Sequence, residues 1–187
     1  MVVYTAGAAV LKEIAKPVIM VDENIRQLAA EMLEAMRVFN GIGLAAPQYG
    51  HSLRMVVFDV PAENNTGTPG ELALLPRMPL TVINPEIIAR SAKSVEREEG
   101  CLSVPDIYAP VIRPASVVFR AQTLDGEFIE FECGGLLGRC IQHELDHLDG
   151  LLFTDRLTAE AERVIRGDLN KLKSAGQSCN YRRISKK

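Results

Sequence analysis

The sequence predicts a fold that mixes helices with strands, and three observations carry this. Residues 135–150 hold apolar side chains at helical spacing between glycines. Residues 22–39 form a second amphipathic stretch behind a capping aspartate. Residues 116–132 read as two strand-like runs turning at Asp125-Gly126, a hairpin signal.

At 187 residues the chain is long enough for one domain with a sizeable core, expected over residues 1–187. A net charge of −3 argues against a general nucleic-acid binder. No apolar run reaches membrane-spanning length, so no membrane role is expected. The segment from Val2 to Leu11 lacks a basic flank and runs straight into ordinary domain sequence, so no signal peptide is expected. Cys101, Cys133, Cys140 and Cys179 show no paired spacing, which fits a reducing cytoplasm rather than a disulfide framework.

In chain order, Lys16-Pro17 breaks the first segment. Asp22 caps a helix running to about Phe39, with Ile25, Leu28, Met32 and Met36 as its apolar face and Leu33 beside it. Asn40-Gly41 ends it. Gly41-Ile-Gly-Leu-Ala-Ala-Pro-Gln48 carries so little side chain that another backbone can approach closely, and Pro47 helps to hold Gln48. Leu53 to Val60 reads as a strand. Pro61 to Pro79 reads as a linker-like insert with turn signals and no visible chemistry. Leu80 to Ser91 and Lys93 to Arg97 read as strands, broken at Asn84-Pro85, before the hairpin at residues 116–132.

The chemistry concentrates in Gly135 to Gly150. Leu137, Ile141, Leu145 and Leu148 form a buried stripe. His143, Glu144 and His147 make the pattern H-E-x-x-H and use two of the chain's three histidines. Histidines four apart stack on one helix face about 6 Å from each other, close enough to share one metal ion. Glu144 is turned roughly 100° away, poorly placed as a third ligand but well placed to take a proton from a water that the ion activates.

Two histidines leave a catalytic metal short of one protein ligand. Cys140 shares the helix, but its seven-residue separation from His147 is about 10 Å along the axis, too far for one ion. Cys133 precedes the helix and stays open on geometry. Cys101, in Glu98-Glu-Gly-Cys-Leu-Ser-Val-Pro105, is expected to project from a loop and is the favoured ligand.

Three stretches together, Gly41 to Gln48, Glu99-Gly-Cys-Leu-Ser103 and Gln142-His-Glu-Leu-Asp-His147, resemble in order the three motifs of the peptide deformylases. The resemblance runs from Lys16-Pro17 to about Leu157. It implies an α+β fold with antiparallel strands packed around the histidine helix, and removal of the formyl group from N-formyl-methionine of newly made polypeptides. It implies Cys101, His143 and His147 as metal ligands and Glu144 as acid/base. Gln48, through its side-chain amide, and Leu102, through its backbone N–H, would stabilise the oxyanion. Ile42, Gly43 and Gly100 would bind the N-formylated nascent peptide as an added strand. One divalent ion is implied, Fe²⁺ in the cell, with Zn²⁺, Ni²⁺ or Co²⁺ in purified protein.

Arg97 and Arg139 stand where the family is often apolar, near the methionine side-chain pocket. Arg139, four before His143, points toward the same face. Two other function classes share part of the pattern: a zinc endopeptidase, which needs no Gln-ended glycine-rich loop, and a two-His, one-Cys copper site, which needs no Glu144. From about residue 158 a helix is expected, with Ala161, Val164, Ile165, Leu169 and Leu172 as its pattern. A basic tail follows, with Arg182, Arg183, Lys186 and Lys187. It is either a solvated end or a contact to ribosomal RNA.

Overall fold

The computed structural model describes residues 1–63, 65–176 and 180–181. In order the chain forms β1 (Val3–Tyr4), α1 (Glu23–Val38), β2 (Gly43–Ala45), β3 (Met55–Phe58), α2 (Pro69–Leu74), β4 (Leu80–Arg90), β5 (Ser94–Cys101), β6 (Val104–Pro114), β7 (Ser116–Thr123), β8 (Phe128–Gly134), α3 (Gly135–Leu148), α4 (Ala159–Gly176) and β9 (Asn180–Tyr181). Strands β2-β3-β4-β7-β8 make an antiparallel five-stranded sheet, β5 and β6 pair separately, and β1 pairs with β9.

Helix α1 begins where its cap predicts, with Asp22 Oδ1 accepting from the Ile25 N–H at 2.9 Å. Leu28, Met32 and Met36 are buried on its inner face. The run Met55-Val-Val-Phe58 lacks polar alternation because the sheet is covered on both sides. Met55 and Val57 join the core under α1, while Val56 and Phe58 join the core under α3. Helix α3 packs on β2, β7 and β8 through Leu137, Ile141, Leu145 and Leu148, all at most 5% exposed. Gly150, at φ +73°, takes the left-handed turn that ends it. Among the described residues no helix is long and apolar enough to cross a membrane.

Three sequence expectations change. Residues 61–79 are not a linker. Glu71 is 1% exposed and accepts from the hydroxyls of Thr66 and Thr68, both at 2.6 Å, while Leu74 enters the core, so α2 is docked against β8. The capping pair Thr68–Glu71 around Pro69 is its local cause. Asn84-Pro85 does not break β4. Asn84 adopts φ +48° at a register shift, and its side chain bonds Val18 N–H and C=O, each at 2.8 Å, so the break is a bulge. Residues 104–114, unassigned by pattern, form β6 despite Pro105, Pro110 and Pro114. A two-stranded pair leaves each strand one open edge where proline costs no ladder bond.

Candidate metal centre

Helix α3 presents His143 and His147 side by side, ring centres 5.1 Å apart and nearly perpendicular. Cys101 is the last residue of β5, directly before the two-residue turn into β6, so it projects from a strand end and not from a free loop. Its Sγ lies 3.2 Å from His147 Nε2, and donor atoms of Cys101, His143 and His147 all fall within 4.8 Å of one another. Ligands around one tetrahedral ion with bonds near 2.0–2.3 Å stand about 3.5 Å apart, so this donor set fits a divalent ion. Among the described residues no other group of His, Cys, Asp or Glu has this geometry.

The other two cysteines described are excluded. Cys133 turns into the core, and burial pushes its thiol up to about 12. Cys140 donates to Ile42 C=O at 3.8 Å, and burial holds its thiol well above the ordinary range. Cys101 Sγ, by contrast, accepts from the Ser103 N–H at 3.3 Å and Gln48 Nε2 at 3.5 Å. N–H donors on sulfur are the outer contacts a thiolate ligand takes.

A buried ion network joins the separate pieces. Glu99, two before Cys101, accepts from Arg113 Nε at 2.7 Å and NH2 at 3.0 Å, from Arg139 NH1 at 2.7 Å and from His143 Nδ1 at 2.9 Å. Burial alone would raise its pKa, but the bonds from His143 and Arg113 hold it at about 2. Bonding Nδ1 to Glu99 leaves Nε2 as the His143 atom available to a metal ion. Arg113 also reaches Asp146 at 2.8 Å, and Asp146 accepts from Arg156 at 2.7 Å. The network therefore ties the β5–β6 pair, which carries the cysteine, to the helix that carries the histidines. Sequence reasoning quoted Glu99 and Asp146 inside motifs but assigned neither a role, and it passed over Arg113. The signal available was a buried-type carboxylate flanking each ligand, which becomes meaningful only beside its arginine.

Gln48 sits in a 3-10 turn after β2 and is 1% exposed. Its Oε1 accepts from the Ala45 N–H at 2.7 Å, which turns Nε2 toward Cys101 Sγ and Ser103 Oγ, the latter at 3.2 Å. Glu144 is 4% exposed and lines the cleft, and its Oε2 is buried with no hydrogen-bond partner. Burial pushes this carboxyl up to about 7, opposed by the charge of His143. Gly43 makes room for it, since a Cβ there would stand 2.5 Å from Glu144 Oε1. The cleft measures about 510 Å³ and brings Ile42, Gly43, Gln48, Gly100, Cys101, Leu102, His143 and Glu144 to one surface.

Of the two unexpected arginines, Arg139 is turned inward at 9% exposure and lines the cleft, whereas Arg97 is exposed and does not line it.

The polypeptide deformylase family model matches residues 1–163. A peptide deformylase of Dictyoglomus thermophilum is 46% identical over 154 residues, 82% of this chain and 90% of that protein. Peptide deformylase 2 of Gloeobacter violaceus is 45% identical over 155 residues, 83% of this chain and 78% of that protein. Arabidopsis thaliana peptide deformylase 1B, solved with an inhibitor, superposes at TM-score 0.81 with 35% identity over 94% of this chain and 91% of its own. The Thermus thermophilus peptide deformylase gives TM-score 0.79 and 34% identity over 93% and 98%.

Proposed function

The chain belongs to the polypeptide deformylase family, and on that footing we propose that Cys101, His143 and His147 hold its metal while Glu144 moves the proton. The protein is a metal-dependent hydrolase that removes the formyl group from N-formyl-methionine of newly made polypeptides. The convergence of one sulfur and two imidazoles beside a buried carboxylate with one unpartnered oxygen supports the assignment of residues.

Cys101, His143 and His147 would hold a divalent ion, and the chemistry it would supply there is Lewis acidity toward water at neutral pH. The chain's own groups do the rest. Gln48 Nε2–H and the Leu102 backbone N–H donate to the formyl oxygen as it gains negative charge. Glu144 accepts the proton of the attacking water and returns it to the leaving amine nitrogen, so that formate and a free N-terminus result. A carboxyl raised by burial toward neutral pH is matched to both transfers.

The peptide itself is bound along an open edge. Strand β2 is an outer strand of its sheet. Ile42 C=O already accepts from the Asp59 N–H at 2.9 Å, so the alternation of the ladder turns Gly43 N–H and C=O away from β3. These groups and the backbone of Gly100 would pair with the substrate as an added strand, with Ile42 lining the cleft beside them.

We assign Fe²⁺ as the ion in the cell, since a thiolate with two imidazoles suits it, and Zn²⁺, Ni²⁺ or Co²⁺ as substitutes in purified protein. We read residues 1–187 as one domain closed by α4, and place it in the cytoplasm beside its nascent substrate. The basic stretch with Arg182, Arg183, Lys186 and Lys187 lies outside the described residues. Its clustered cations support docking to ribosomal RNA, and removal of residues 174–187 should then weaken ribosome binding and reduce its salt dependence.

The test is metal analysis of anaerobically purified protein together with formate release from an N-formyl-Met peptide. Stoichiometric metal with formate release supports the assignment. Cleavage of unformylated internal peptide bonds instead would favour an endopeptidase.

A further inference from the structure

Gln48 and Leu102 come from distant parts of the chain, yet as donors to one oxygen they must keep one mutual geometry. Leu102 and Ser103 form the two-residue turn between β5 and β6, directly after Cys101. The turn is tied down by its backbone. Ser103 C=O accepts from the Ala6 N–H at 2.8 Å, and the Ser103 N–H donates to Cys101 Sγ at 3.3 Å. Ser103 is 0% exposed, and its Oγ accepts from Gln48 Nε2 at 3.2 Å across a separation of 55 residues. Among the described residues Gln48 is the one hydrogen-bond partner of this hydroxyl.

The amide of Gln48 is thereby held at both ends. Its oxygen accepts from the Ala45 N–H at 2.7 Å, which fixes which end of the amide is nitrogen. The nitrogen carries two N–H groups. Ser103 Oγ takes one of them. The other is left for the side of Cys101 Sγ, 3.5 Å from Nε2, where the donor atoms of His143 and His147 also converge. The last torsion of a glutamine side chain is broad. With the Ala45 contact alone the amide plane could turn about it, and a second anchor on the nitrogen stops that turn. Donors stabilise a developing charge best when they are aimed before it forms.

Resting on the deformylase reading, we propose that Ser103 is a positioning residue of the reaction, whose hydroxyl holds the Gln48 amide so that its free N–H and the Leu102 backbone N–H meet one oxyanion. One two-residue turn then sets both donors, Leu102 directly and Gln48 through Ser103. The side-chain oxygen of Ser103 is turned to Gln48, so its effect runs through that amide. The bond from Ser103 to Cys101 is a separate matter, because it is made by the backbone and survives a change of side chain.

The test is a double-mutant cycle of Ser103→Ala and Gln48→Met. It reads kcat and KM on an N-formyl-Met peptide at equal metal content, and metal affinity by chelator competition. An interaction made only in the transition state lowers kcat and leaves KM alone. Loss of one oxyanion donor costs about 10²–10³ in kcat, the expectation for Gln48→Met. Misplacing such a group costs up to about 10², so Ser103→Ala should lose about 10–100-fold in kcat with KM little changed. In the Gln48→Met background the same change should cost less than about threefold more, because no amide is left to hold. Metal affinity of Ser103→Ala should stay within about threefold of wild type, since the outer contact on Sγ remains. Ser103→Gly carries the same cycle if Ser103→Ala does not fold. Wild-type kcat in the serine variant overturns the proposal. So does a full penalty in the Gln48→Met background, or a loss of metal affinity of about tenfold or more. Wild-type kcat in Gln48→Met would remove Gln48 from the oxyanion site and the proposal with it. Failure of the wild type to release formate would instead count against the deformylase reading itself.

Discussion

Glu99 Oε2 lies 2.9 Å from His143 Nδ1, so the strand that ends in Cys101 also sets the ring of His143. Outer contacts of this kind typically contribute 10–100-fold to metal affinity. Glu99→Gln should therefore weaken metal binding by about that factor, measured by chelator competition. The same change leaves Arg113 and Arg139 short of a buried counter-charge, so stability should drop by about 3–5 kcal/mol in a denaturant melt. Wild-type metal affinity in Glu99→Gln would remove Glu99 from the site.

Glu144 and Cys101 separate proton transfer from metal holding. Glu144→Gln keeps the side-chain volume and should retain stoichiometric metal, yet lose about 10²–10⁴-fold in turnover. Cys101→Ala leaves two protein ligands and should lose or greatly weaken the metal. Metal content and formate release measured side by side decide between them. Metal loss in Glu144→Gln with full metal in Cys101→Ala would reverse the two roles.

Iron bound through the thiolate of Cys101 in an open cleft should be prone to oxidation. The Fe²⁺ form is expected to lose activity in air, and the Ni²⁺ or Co²⁺ form to keep it. Equal aerobic half-lives for the iron and nickel forms would contradict this.

Glu71 supplies a pH signature away from the site. Burial would raise its pKa, but hydrogen bonds from Thr66 and Thr68 outweigh burial and hold it below its usual 4.5. A carboxylate depressed by folding contributes stability above its unfolded pKa, and that contribution is lost as pH falls through the folded value. Glu71→Gln should thus lower Tm clearly at pH 7 and progressively less as pH falls below the usual carboxylate range, where the contribution of the wild-type charge is lost. A Tm difference that stays constant from neutral to acid pH would show that the charge is not what docks α2.

The sequence by itself determined the parts whose causes are local. Helical spacing and a capping aspartate suffice to place α1 and α3, and Asp125-Gly126 suffices to join β7 to β8. The H-E-x-x-H spacing likewise puts two imidazoles on one face with a carboxylate beside them, because 3.6 residues per turn leaves no alternative. Even α2 was legible in Thr68-Pro69 and Glu71, though turn residues on either side disguised it. The sequence favoured Cys101 over Cys133 without excluding the latter, and tertiary structure separated them: the docking of β5–β6 against α3 brings the Cys101 sulfur to the histidines while the sheet buries Cys133. It also decided the fate of Arg139 and the role of Glu99. A buried guanidinium needs acceptors from several strands at once, and Glu99, Arg113 and Asp146 come within reach across separations of 14 and 33 residues. No periodicity in a sequence encodes such a meeting, because its cause is the cost of burying a charge unpaired, which arises only once the chain has folded.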